Sequence, residues 1–145
     1  MRKTPHPRPF RYRIPIRFGD IDQAGVAYFP TLFDHCHTAF EEFWAGAIGV
    51  PYPRVLLEDR LGFPTAHIES DFRTPLKYGD VLTFEVTVSH LGRSSVTFRY
   101  RALLPKQREP AFDVRCTTVC VDMRTFRPIP IPPRYRRLLS PRLVP

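Results

Sequence analysis

Two carboxylates, Asp20 and Asp22, lie two residues apart in the run Phe18-Gly19-Asp20-Ile21-Asp22-Gln23-Ala24-Gly25. Glycines bracket the run, and its composition is that of a loop. The chain then reads Val26-Ala27-Tyr28-Phe29-Pro30. Pro30 fits the first turn of a helix, where its missing N–H costs nothing. A carboxylate placed there feels the positive end of the helix dipole and neighbours the unbonded N–H groups of the first turn. In its plainest role such a pair orders a loop or caps the helix. In a chemical role one carboxylate is a nucleophile or base, beside N–H donors that hold a developing oxyanion. Residue types and spacing alone leave both open.

Other groups are weaker candidates. His35, Cys36 and His37 have the composition of a metal site, but positions two apart on a helix point in different directions, so no metal is expected. His67, Glu69 and Asp71 share one face of a strand, and a solvated face is the reading preferred for them over a pocket wall. Cys116 and Cys120, in a strand-like run, would have Cα atoms roughly 13 Å apart, too far for a disulfide. Buried free thiols in a reducing, cytoplasmic compartment are the expectation. The net charge is +8, carried by 19 Arg and only 3 Lys, which favours polyanionic partners. Nucleic acid and a phosphate-rich cofactor such as coenzyme A both fit that charge, but no nucleic-acid-binding motif accompanies it. Much of the charge lies near the ends, in Arg2, Lys3, Arg8, Arg11 and Arg13 and in Arg134, Arg136, Arg137 and Arg142, and is expected to be solvated.

The elements that must position these groups follow from periodicity. A first strand runs from Arg11 to Phe18, and Pro15 within it places that strand at an edge or makes it locally irregular. A helix over Pro30–Ala47 carries Phe29, Leu32, Phe33, Cys36, Phe40, Phe43, Trp44 and Ala47 at three- and four-residue steps. Gly46 and Gly49 mark its end, and Pro51 and Pro53 stop continuation. The remainder reads as strands: Ala66–Arg73 weakly alternating, Val81–Val88 and Val96–Leu103 cleanly alternating, and Phe112–Val121 apolar along more of its length. The connections at Ser89–Ser94 and Pro105–Pro110 are short enough for antiparallel hairpins. With 145 residues, 43% of them hydrophobic, the chain makes one domain with a sizeable core, ordered over about residues 10–138. Residues 1–9 and 139–145, rich in Pro and Arg, are expected to be poorly ordered. No apolar run approaches the ~20 residues of a membrane helix, and no apolar segment follows the basic N-terminus as in a secretory signal. One aromatic-faced helix against one alternating sheet is an α+β two-layer domain.

At this point four stretches carry a resemblance. Phe18 to Pro30, quoted above, resembles the signature of the 4-hydroxybenzoyl-CoA thioesterase family. Phe72-Arg73-Thr74-Pro75-Leu76-Lys77-Tyr78-Gly79-Asp80 resembles the link between that family's second and third strands. Leu91-Gly92-Arg93-Ser94-Ser95 resembles its basic turn, and Asp122 to Pro132 its exit from the last strand. The resemblance covers about residues 11–138. It implies a hotdog fold, a long helix wrapped by a five-stranded antiparallel sheet, assembled as a homodimer or homotetramer with sites at subunit interfaces. It implies hydrolysis of an acyl- or aroyl-CoA thioester with Asp22 as nucleophile or general base, followed three residues on by Gly25. The Phe29 backbone N–H would polarise the thioester carbonyl, and Tyr28, Arg93, Ser94 and Ser95 would contact substrate or coenzyme A. Some relatives carry His where this chain has Phe29, so no imidazole role is implied.

The chemistry agrees with that implication. Sulfur donates poorly into the carbonyl, so a thioester needs only an oxygen nucleophile and oxyanion stabilisation. No metal, cofactor, nucleic acid or membrane is expected to take part. Two alternatives stand beside an acyl-CoA thioesterase. One is hydrolysis of an acyl carrier protein thioester, and the other is a non-catalytic acyl-CoA-binding protein, which would have no need of Asp22.

Overall fold

The alternating segments resolve into one antiparallel sheet. The computed structural model describes residues 7–144. The sheet comprises β1 (Phe10–Pro15), β3 (Thr65–Phe72), β4 (Val81–Leu91), β5 (Ser95–Leu103) and β6 (Phe112–Val119), in the order β1-β4-β5-β6-β3. Phe84 lies opposite Tyr12 on β1 and Ala102 on β5, and Tyr100 lies opposite Val114 on β6. Leu82, Phe84, Val86 and Val88 of β4 join Val96, Phe98 and Ala102 of β5 in the core, while Arg99 and Arg101 face outward. β1, with its proline, stands at one edge as expected. At the other edge β3 is exposed along nearly its whole length, on both faces.

The aromatic-faced segment is the helix α1 (Phe29–Phe43), which buries Leu32, Cys36, Ala39, Phe40 and Phe43 across the sheet. It does not continue as an α-helix to Ala47. Trp44–Ile48 forms a wider π turn, closed by Gly49 in the left-handed region at φ 81°. Close packing of β1 accompanies the change: a side chain on Gly46 would bring a Cβ to 2.7 Å from the Phe10 ring. The helix and sheet together are an α+β hotdog fold.

Three features depart from the sequence reading. Pro51 and Pro53 end α1, but they also open a second helix, α2 (Tyr52–Leu57), because proline is tolerated in a first turn. A small sheet of β2 (Leu61–Gly62), β7 (Val121–Asp122) and β8 (Arg127–Pro128), too short to show periodicity, closes one side of the core. The segment expected to be loose after residue 138 is docked. Helix α3 (Pro133–Leu139) ends on the fully buried Leu139, and the Val144 N–H donates to the Val88 carbonyl at 2.8 Å. Three of the four arginines in this segment are correspondingly engaged. Arg134 pairs with Asp59, Arg136 donates to the carbonyls of Gly92 and Arg93, and Arg142 donates to the carbonyl of Ala47. The corresponding expectations for residues 1–6 and 145 lie outside the described residues.

Candidate active site

The run between β1 and α1 is a tight hairpin rather than an open loop. Ile21 and Ala27 form an antiparallel bridge, the Asp22 N–H donates to the Val26 carbonyl at 3.1 Å, and the Gly25 N–H donates back to Asp22 at 3.0 Å. Gly25 sits at φ 82°, where a Cβ would be strained. The Ala27 N–H donates to the Leu76 carbonyl at 2.7 Å, and the Tyr28 N–H to the Asp20 carbonyl at 2.9 Å. These bonds pin the hairpin against the stretch before β4 and bring Phe29 back beside the two aspartates.

The two carboxylates have separate environments. The Asp20 side chain, only 14% exposed, accepts the Arg17 N–H at 2.8 Å and lies 3.0 Å from Nε2 of His35. It is committed to shaping the loop. Asp22 is exposed. Its Oδ1 accepts the Ala24 N–H at 2.8 Å, and Oδ2 has no partner among the described residues. The Phe29 N–H, the first in α1, likewise has no acceptor among the described residues. One hairpin therefore carries both a carboxylate oxygen without a partner, able to attack or to take a proton, and at its exit an N–H donor backed by the helix dipole.

Aromatic rings lead away from this point. Phe29, 58% exposed, packs edge-on against Phe33 at 6.1 Å and Phe72 at 6.4 Å, with Tyr28 5.9 Å away on its other side. Beyond Phe33 a cavity of about 300 Å³ opens between α1 and the β3, β5 and β6 strands. Its walls are mostly apolar: Phe33, Phe40, Phe63, Ile68, Val114 and Met123. Cys36 and Cys116 also reach it, and burial raises both thiols above their ordinary range, so they stay protonated and unreactive. The periodicity of α1 indicates a covered face, but not that part of that cover is empty space.

Arg93, Ser94 and Ser95 are elsewhere. They form the β4–β5 turn at the far end of β4, whereas Asp22 and Phe29 pack beside its start. The 11 residues of β4 at roughly 3.3 Å each separate the two groups by about 33 Å. Within one chain the structure does not bring them together. The turn is firmly held: the Gly92 N–H donates to the Ser95 carbonyl at 2.8 Å, the Ile131 N–H to the Arg93 carbonyl at 2.9 Å, and Arg136 grips Gly92 at 2.6 Å. Arg93 itself is exposed.

The weaker candidates have structural roles. His35 holds Asp20, Cys36 turns inward, and His37 stacks on Phe40 at 5.5 Å, so the three do not converge. Among the described residues no group of three His, Cys, Asp or Glu is placed to hold a metal. His67 pairs with Glu69 on the outer face of β3, in solvent. All three cysteines are free, and none of the described helices is long and apolar enough to cross a membrane.

Against this geometry, comparison with known proteins is specific. The family described as the thioesterase-like superfamily matches residues 16–139. A 1,4-dihydroxy-2-naphthoyl-CoA hydrolase from Synechococcus elongatus is 34% identical over 90% of this chain and 95% of its own. A thioesterase-superfamily structure from Jannaschia sp. CCS1 superposes with a TM-score of 0.88 at 25% identity, covering 99% of each chain. A 1,4-dihydroxy-2-naphthoyl-CoA thioesterase from Synechocystis, at 21% identity, shares the fold with a TM-score of 0.79 over 90% of this chain and 95% of its own. The chain belongs to the thioesterase-like superfamily.

Proposed function

We propose that this protein hydrolyses an aroyl-CoA thioester to the free acid and coenzyme A, with Asp22 as the attacking carboxylate or as the base that activates water. The observation that carries this reading is the uncommitted Asp22 carboxylate on a pinned hairpin that leads directly into the unbonded Phe29 N–H. The carbonyl oxygen sits at the Phe29 N–H as charge develops on it, and the α1 dipole adds to that stabilisation. Gly25 supplies the turn that aims the carboxylate, and Tyr28 flanks the entering thioester. The departing thiolate needs no metal, and the reaction draws on no cofactor beyond its substrate.

The acyl group follows the aromatic path from Phe29 to Phe33 and enters the cavity. At about 300 Å³, the cavity is roughly twice the ~150 Å³ that accepts benzene in an apolar protein core. That volume fits a two-ring acyl group, and the 1,4-dihydroxy-2-naphthoyl group handled by the Synechococcus relative is one. The finer kinship, with the 4-hydroxybenzoyl-CoA thioesterases, rests on the four matching stretches at residues 18–30, 72–80, 91–95 and 122–132.

The phosphates of coenzyme A are met by Arg93, Ser94 and Ser95 of a second subunit, since those of the same chain are too remote. The exposed β3 edge, whose own Ile68 and Phe72 are partly uncovered, is the face on which a homodimer pairs. A panel of aroyl-, short-chain and medium-chain acyl-CoAs, with acyl carrier protein thioesters alongside, tests the substrate class. The expected outcome is the highest kcat/KM on a two-ring aroyl-CoA, with activity per mole falling on dilution to monomer. Preference for a carrier-protein thioester, or a fully active monomer, would refute the corresponding half of the proposal.

A further inference from the structure

Tyr100 projects from β5 into the interior, where its neighbours on the same strand face, Phe98 and Ala102, are purely apolar. Its side chain is 3% exposed and lines the cavity beside Cys36 and Cys116. Its hydroxyl has no hydrogen-bond partner among the described residues, and it is not sealed in the protein interior, since the sole fully enclosed unpaired polar side-chain atom among those residues is Nε1 of Trp44. The phenol therefore opens into the cavity. Burial holds it well above its ordinary ionisation range, so it remains a neutral group able both to donate and to accept.

Most of the other polar groups on the cavity wall already have a partner. Thr118 donates to the Val96 carbonyl at 3.0 Å, Thr65 and Cys116 face each other at 3.4 Å, and the Tyr52 hydroxyl accepts the Phe63 N–H at 3.1 Å. His37 is exposed and stacked on Phe40. A buried polar group without a partner costs stability unless something supplies one. A Phe in place of Tyr100 would fill the same space without that cost. The partner open to the hydroxyl is whatever occupies the cavity.

We infer that the Tyr100 hydroxyl is a specificity determinant, forming a hydrogen bond with a ring hydroxyl of the bound acyl group and so selecting hydroxylated over unsubstituted aroyl thioesters. This rests on the thioesterase reading above and extends it from ring size to ring substituent. Tyr100 lies on the sheet beneath α1, away from the exposed hairpin that carries Asp22, so its contribution is to binding rather than to the reacting carbon.

The test compares wild type and Tyr100→Phe on a hydroxynaphthoyl-CoA and on naphthoyl-CoA lacking the hydroxyl. Wild type should prefer the hydroxylated thioester, and the variant should reduce that ratio of kcat/KM roughly tenfold, the scale of one neutral hydrogen bond. The loss should fall mainly in KM, with the thermal midpoint unchanged or raised because no protein partner is lost. A ratio that the substitution does not move overturns the inference and leaves the thioesterase reading intact. A lowered midpoint with equal losses on both substrates also overturns it, by marking the phenol as structural. Failure of wild type to hydrolyse either thioester overturns the thioesterase reading and this inference with it.

Discussion

The two ends of α1 are built differently. At the C-terminal end, Phe43, Trp44 and Ile48 are buried, Trp44 packs against Phe63 and Tyr135 at 5.2 and 5.8 Å, and Gly49 closes the last turn. At the N-terminal end, Phe29, Tyr28 and Phe18 stand exposed, an N–H has no acceptor and a carboxylate has an idle oxygen. Exposed aromatic rings gathered beside unpaired polar groups mark a surface open to interaction. The exposed N-terminal end is the one proposed to bind, and the closely packed C-terminal end, where Nε1 of Trp44 is the sole enclosed side-chain polar atom among the described residues that lacks a partner, is the one that holds the fold.

Substitutions at the two ends should separate stability from turnover. The largest effect is expected from Phe43→Ala at the packed end. Removing a ring that packs on Phe10 and Phe98 should cost about 3–5 kcal/mol in chemical denaturation, with kcat per folded molecule nearly unchanged. An equal fall in kcat would erase the division. Next is Asp22→Asn at the open end, which should lower kcat by about 10²-fold or more and leave the denaturation midpoint where it was. Near-normal turnover would show that another group does the chemistry.

Asp20→Asn sharpens the contrast within the hairpin itself. It weakens a bond to the Arg17 N–H and the contact with His35. We expect a stability loss of about 1–2 kcal/mol, with a smaller drop in kcat than Asp22→Asn gives. The reverse order of kcat losses would reassign the working carboxylate. The smallest effect is expected from Arg93→Ala, at the remote turn. It should raise KM several-fold and barely change kcat, because a phosphate contact lies far from the reacting carbon. A kcat loss without a KM change would remove Arg93 from the coenzyme A site.

The division between the two ends was partly legible in the sequence. The apolar period of α1 and the clean alternation of β4 and β5 come from burial of one face, and burial writes itself into residue order. Pro15 correctly marked β1 as an edge. The hairpin could be located from Gly19 and Gly25, but composition did not distinguish Asp20 from Asp22. Their difference lies in His35, fifteen residues away, and in a backbone N–H that every residue type carries. The docked tail was misread because Pro and Arg there look solvated, whereas Arg136 and Arg142 donate to specific carbonyls. The cavity left no signature, since Tyr100 alternates like any core residue of a strand. Empty space is a property of how elements meet rather than of any one of them.

The length of β4 has a genetic consequence. Asp22 and Arg93 stand at opposite ends of that strand, so in the proposed dimer each chain supplies half of two different sites. Two inactive or impaired chains can then make one sound site between them. In a mixed dimer of Asp22→Asn and Arg93→Ala chains, one site carries both defects and the other carries neither. At substrate concentrations well below KM, co-expressing the two variants should give more activity than either homodimer alone, because one site of each mixed dimer keeps both residues.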